Sequence, residues 1–366
     1  MERTKGDLSF NPGKLSLSVL GGGPNSKMED RNALYPLVND NLIAQNILLA
    51  CYNDRCTAEE ISLQIGVAVA YLEKDLKKLC EKELMVQKGG KYETNILIFT
   101  KEFLEEEYEK TLPAQRELAE IVAQCLNERM NDIKAIGFHV GAAEDDNLMK
   151  WLITSAVFAE ARIKHLKNNT LISKTYAGLK AFIWAVEHGG TAPQNGFGNI
   201  ALGNADGVLY CVDFPATGAA EHSGSYFAPQ NRANIIIDIA KGKIDGFSEN
   251  DTVEIAELIK RGYVRKDGDK LSSLIPVFTK EQFFNQFLTL TDDVLNAISD
   301  KIWDIANTAT DILVQHTPVS LKKEAENISW MRNVEAITEP IKMMTDNGTL
   351  QRVGENAHPT MYVELA

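Results

Sequence analysis

The chain has 366 residues, 44% of them apolar and 24% charged, and carries a formal net charge of −13. That length exceeds one small core and calls for two or three domains, while the apolar content excludes a disordered chain. The acidity excludes a protein that coats nucleic acid along its whole length, because such binding neutralises phosphates with Lys and Arg.

The charge is uneven. Residues 1–100 hold 12 Lys/Arg against 13 Asp/Glu, which confines any DNA contact to that stretch. No run approaches 18 uninterrupted apolar residues, and MERTKGDLSF lacks the apolar segment of a secretory signal, so a cytoplasmic protein with no membrane partner is expected. Cys51, Cys56, Cys80, Cys125 and Cys211 are an odd count without a CxxC pair and read as reduced core thiols.

Residues 1–39 mix turn formers (Asn11-Pro12-Gly13, Gly21-Gly22-Gly23-Pro24) with Leu15, Leu17 and Val19 and read as an extended arm. From Asp40, Leu42, Ile43, Ile47 and Ala50 recur at helical spacing, and the helix stops near Asn53-Asp54. Thr57 and Glu60 form a capping box for a second helix that ends at Gly66. A third helix, about Val69 to Lys82, aligns Leu72, Leu76, Leu79 and Cys80 on one stripe. Leu84-Met85-Val86, the turn Lys88-Gly89-Gly90-Lys91 and the run Tyr92 to Phe99 then give a hairpin. Helix, helix, helix, hairpin is the winged helix-turn-helix order, here over residues 40–103.

Residues 104–187 are expected to form helices and a second helix-hairpin unit, with the β-like run Phe182 to Val186. Residues 188–250 form a Gly- and aromatic-rich β region, with strands expected at Gly207 to Phe214 and Asn234 to Ile239. Residues 251–366 read as a degenerate repeat of the first half. At an offset of 179, Leu79, Gly89, Lys91, Ile96, Phe99, Thr100 and Lys101 meet Leu258, Gly268, Lys270, Ile275, Phe278, Thr279 and Lys280, and Trp151 meets Trp330. The fold class expected is therefore α+β, mainly helical, with two duplicated winged-helix-like halves of roughly 40–187 and 220–366. The three-helix start is not evident in the second copy.

The segment Gln45 to Tyr52, followed by Thr57 to Ser62, Gly66-Val67 and Tyr71-Leu72-Glu73, resembles the C-terminal extension of some bacterial extracytoplasmic-function (ECF) sigma factors and stand-alone effectors of such factors. The resemblance covers about 60 residues. It implies a bacterial regulator acting with or upon an ECF sigma factor, a negative effector being one form of that role. Sigma core domains are missing from the sequence, which argues against a sigma factor in its own right.

Two functional readings follow. In the first, the helix Val69 to Lys82 and the wing contact DNA through Tyr71, Lys74, Lys77, Lys78, Lys88 and Lys91. In the second, the acidic remainder docks a basic partner such as a sigma factor or another RNA polymerase component, without DNA binding. Homo-oligomerisation is compatible with either. Trp184, Phe197, Tyr210 and Tyr226 are candidates for lining a ligand pocket, against the alternative of core aromatics on strands. No HExxH, GxSxG, Walker A or Rossmann pattern occurs, and His139 with Glu144, Asp145 and Asp146 lacks metal-ligand spacing. No enzyme, no cofactor and no metal site are expected.

Overall fold

The computed structural model describes residues 12–21, 32–137, 146–168, 174–192, 198–213, 226–227, 230–243, 245–351 and 360–366. The fold is α+β and mainly helical. Its chain divides into two compact units, one of residues 1–111, 169–193 and 307–330, the other of residues 112–168, 194–306 and 331–366. These units cut across the two sequence halves, since each draws segments from both.

In the first unit the strand β1 (Lys14–Gly21) lies antiparallel to β6 (Leu179–His188), with Lys14 opposite His188 and Gly21 opposite Ala181. The arm expected at residues 1–39 is thus in part a sheet strand. Leu15, Leu17 and Val19 alternate into the core, the period of two that a half-buried strand requires. The strand β5 (Lys174–Tyr176) forms a hairpin with β6, and β4 (Leu97–Phe99) runs parallel to it.

Beside this sheet stand α1 (Leu42–Ala50), α2 (Ala58–Ile65) and α3 (Val69–Glu81). Each boundary has a local cause. Asn41 accepts from the Ala44 amide, Thr57 and Glu60 make the reciprocal capping box, and Gly66 ends α2 with φ +70, a conformation that suits glycine. Ile47, Leu48, Ile61, Leu72, Leu76 and Leu79 are buried, each stabilising by about 1.5–3 kcal/mol relative to exposure. The hairpin of β2 (Met85–Lys88) and β3 (Lys91–Thr94) turns through Gly89 and Gly90, both at positive φ, as a type I′ turn demands. Cys56 adds a short third strand by an antiparallel bridge to Tyr92.

The second unit is built on the sheet order β11-β12-β8-β7, from β7 (Gly198–Asn204), β8 (Gly207–Asp213), β11 (Val277–Phe278) and the last strand β12 (Met361–Leu365). The helices α4 (Lys101–Glu128, from residue 112 on), α5 (Met130–Ala135), α6 (Asp146–Asn168), α9 (Leu288–Gln315, to residue 306) and the end of α10 (Lys322–Asp346) supply a core around Trp151, Phe158, Phe278 and Phe287. Trp151 Nε1 donates to the Gln351 carbonyl at 3.0 Å, satisfying the one polar atom of a fully buried side chain.

A second core gathers on α7 (Gln230–Ala240), α8 (Glu249–Lys260) and the hairpin of β9 (Val264–Asp267) and β10 (Lys270–Ser273). The strand expected at Asn234 to Ile239 is therefore a helix. Ile235, Ile236, Ile237 and Ile239 are all buried, and three consecutive isoleucines spread over about 200° of the helix, leaving Asn231, Asn234 and Asp238 as a narrow polar face that hides its period.

Local geometry recurs at the offset of 179. The strand bounds 85–88 and 91–94 reappear as 264–267 and 270–273, and Gly89 (φ 59) has its counterpart in Gly268 (φ 63). The amides of Leu84 and Tyr263 donate to Leu79 and Leu258, and those of Asn95 and Leu274 to Leu84 and Tyr263, all within 2.9–3.0 Å. The strands β4 and β11 each pair in parallel with a later strand, β6 and β12. Before the second hairpin only α7 and α8 stand among the described residues, in place of three helices.

Candidate protein and nucleic-acid interface

Since α3 buries Leu72, Leu76 and Leu79, the opposite face is fixed by helical geometry. At about 100° per residue, Tyr71, Lys74, Lys78 and Lys82 fall within about 80° of one another on that face. All four are exposed, Tyr71 to 74%. Among the described residues Lys74 and Lys78 form no ion pair, whereas Lys77 lies 3.9 Å from Glu81. Asp75, which would dilute the stripe, is half-buried and accepts from Asn41 Nδ2 at 2.9 Å. One carboxylate is thereby held against the N-cap of α1.

The wing is short. Lys88 and Lys91 face each other across the Gly89-Gly90 turn, both exposed, and Lys91 reaches Glu60 of α2 at 3.9 Å. The hairpin is tied down by Arg55, whose Nε donates to Glu93 Oε2 at 2.8 Å. Burial alone would raise the Glu93 carboxyl, but hydrogen bonds from Ser320 and Arg55 outweigh it and hold the group below the usual carboxylate range. Thr94 Oγ1 donates to the Leu48 carbonyl at 2.7 Å, which ties the hairpin root to α1.

The six lysine and tyrosine candidates thus share one module, four on α3 and two on the wing. Of the aromatic candidates, Trp184 belongs to the first unit and Tyr210 and Tyr226 to the second. Trp184 sits half-buried on β6 in the first unit, opposite Ser18 and Leu97. Tyr210, in the second unit, stacks on Phe283 and Tyr362 with centroids 5.5 and 4.9 Å away, and its hydroxyl bonds Glu364 at 3.2 Å. Burial and then the Glu364 charge push that phenol well up. Tyr226 belongs to another cluster, stacked on Tyr263 at 5.6 Å with the guanidinium groups of Arg232 and Arg261 at 4.3 and 4.4 Å. Phe197 lies outside the described residues, as do His139, Glu144 and Asp145. Within the second unit, Tyr210 and Tyr226 thus belong to two different packing clusters.

No family model, curated protein or solved structure matches the chain. The resemblance to ECF sigma extensions therefore rests on the residues alone. Among the described residues no helix is long and apolar enough to cross a membrane, and no group of three His, Cys, Asp or Glu side chains is placed to hold a metal. None of the five cysteines is in a disulfide. Burial, and then the proximity of Cys56, push the Cys51 thiol well up, which keeps it protonated and unreactive.

Sequence reasoning missed a groove of 290 Å³ in the second unit, lined by Arg129, Asp132, Ile136, Asn285, Gln286 and Asp293. Its wall includes the π-helical turn Phe283–Phe287, and Arg129 pairs with Asp293 at 2.8 Å across it. A π-turn leaves no periodic trace in a sequence, since it changes the hydrogen-bond step of a helix without changing its composition.

Proposed function

We propose that the chain is a transcription regulator that acts with or on an ECF sigma factor, through DNA or protein contact by the winged-helix module at residues 42–99. The observation that carries this reading is the stripe of Tyr71, Lys74, Lys78 and Lys82 on the outer face of α3, a single-sided basic and aromatic surface in an otherwise acidic chain. The third helix of such a module is the one that enters a groove, and lysines at this spacing meet phosphates.

Protein docking without DNA is favoured by a specific feature of the same helix. The sequence VAYLEKDLKKLCE contains no Arg, Asn or Gln, which leaves lysine as its one side chain of the kinds that read purine edges in pairs of hydrogen bonds. Its lysines and exposed tyrosine can meet an acidic protein surface with no base edge to read.

Binding of the purified chain to its own upstream DNA and to a purified ECF sigma factor, each at two salt concentrations, tests both. DNA binding that weakens with salt, with the slope reduced by about 2 in Lys74→Ala/Lys78→Ala, is the outcome expected of groove contact. Sigma binding weakened by the same pair of substitutions, with no DNA binding, selects the docking reading. Absence of both ends the proposal.

A further inference from the structure

The helix α8 stands where α3 stands 179 residues earlier, but its exposed face has a different character. Core positions are kept in kind, with Leu76 and Leu79 matched by Ile255 and Leu258, all buried. The outer lysines are gone: Lys74 is matched by Val253, Lys77 by Ala256 and Lys78 by Glu257. Val253 is 70% exposed, and Glu249, Ala256 and Lys260 are exposed beside it. At about 100° per residue these four residues lie within about 60° on one face.

Their spacing reads the same from either end: four residues, three residues, four residues. Turned end for end about a two-fold axis, the stripe matches itself, with Val253 against Ala256 and Glu249 against Lys260. We propose that α8 is a self-association surface, on which two copies of this chain pair antiparallel, each Val253 packing on the partner's Ala256 and each Glu249 meeting the partner's Lys260.

Charge complementarity selects a second copy as the occupant. Glu249 makes no ion pair among the described residues, and Lys260 reaches only Glu257, at 3.7 Å with its side chain 78% exposed. Glu249 can therefore pair across the axis, with Lys260 exchanging its exposed contact with Glu257 for one to the partner, and a two-fold contact satisfies both ends at once. A valine facing an alanine lets two helices approach closely, and both apolar side chains leave water. The matching stripe on α3 is Ala70, Lys74, Lys77 and Glu81, which in the same arrangement would set Lys74 against Lys77. The two helices thus have divided their tasks, α8 for a like helix and α3 for something else.

A seam of 12 residues buries less than the roughly 1,200 Å² of a standard interface, so the association is expected to be weak and dependent on concentration. Sedimentation of the full chain between about 5 and about 300 µM spans the range for such a contact. The mass average should climb towards the dimer. Val253→Glu should hold the chain at the monomer without lowering its melting temperature, because the side chain is exposed.

Glu249→Lys and Lys260→Glu should each weaken the dimer about threefold to tenfold. Mixing these two variants should restore it, since the lysine introduced in one chain then meets the glutamate introduced in the other. A monomer throughout, a dimer indifferent to Val253→Glu, or a mixture no tighter than either charge variant alone would each overturn the proposal. Because α3 takes no part in the seam, such a result leaves the reading of Tyr71 and its lysines standing.

Discussion

Two amides on α1 decide where the N-terminal strand goes. Gln45 and Asn46 are buried, an expensive place for polar side chains unless every donor and acceptor is met. Gln45 Oε1 accepts from the Leu15 amide at 2.9 Å and its Nε2 donates to the Val38 carbonyl at 2.8 Å. Asn46 brackets Gly13, accepting from its amide at 3.0 Å and donating to its carbonyl at 3.1 Å. Replacing Asn46 by Ala leaves both groups of Gly13 unmet and should cost about 1–3 kcal/mol, read as a lower urea midpoint with an unchanged slope. An unchanged midpoint would mean that the strand docks through its leucines alone. Glu93 carries a prediction of a different kind. Its carboxyl is held below the usual range in the folded chain, so its contribution is complete above the ordinary carboxylate pKa and is lost as pH falls through the folded value. Melting temperatures measured from neutral pH down to about pH 3 should fall less steeply in Glu93→Gln than in the parent chain.

At the scale of elements, legibility followed from whether a segment has one buried side or two. The helices α2 and α3 declare themselves because caps and turn residues sit at their ends and one face is polar. Thr57 and Glu60, Gly66, and Gly89-Gly90 each do in the fold what their chemistry allows, and α3 ends one residue short of its expected bound. Thr57→Ala should remove about 1 kcal/mol from the first unit by freeing the Glu60 amide. The measurement is a denaturation midpoint, and no change there would show that water caps α2 as well as the hydroxyl does. The strand β1 was also legible in its alternation of Leu15, Leu17 and Val19, but the surrounding glycines and prolines hid it. The helix α7 was not legible, because Asn234-Ile-Ile-Ile-Asp-Ile is rich in β-branched residues and only contact with β7, β8 and β10 on several sides selects the helix. Of the candidate site, the basic stripe could be read from spacing, whereas the division of Tyr210 and Tyr226 between two packing clusters could not, since spacing says nothing about which rings meet.

For the whole molecule, the gapless offset of 179 suggests two halves that fold side by side, yet the compact units are interleaved. The first unit needs residues 307–330 from the far half of the sequence. There His316 Nε2 meets Glu106 at 2.7 Å, Lys174 meets Glu324 at 3.2 Å, Ser320 bonds Glu93, and Leu313, Leu321 and Ala325 are buried. Removing three buried aliphatic side chains and their neighbours forfeits several kcal/mol, which is comparable with the whole stability of a domain of this size. A fragment of residues 1–193 should therefore lack the cooperative unfolding and dispersed amide spectrum of the full chain, although it carries α1, α2, α3 and the β2–β3 hairpin whole. Adding a peptide of residues 307–330 should recover part of both, because the missing contacts lie on that one segment. If the fragment alone unfolds as sharply as the full chain, then α1, α2, α3 and the sheet around β6 form a self-sufficient core, and residues 307–330 are a covering and not a support.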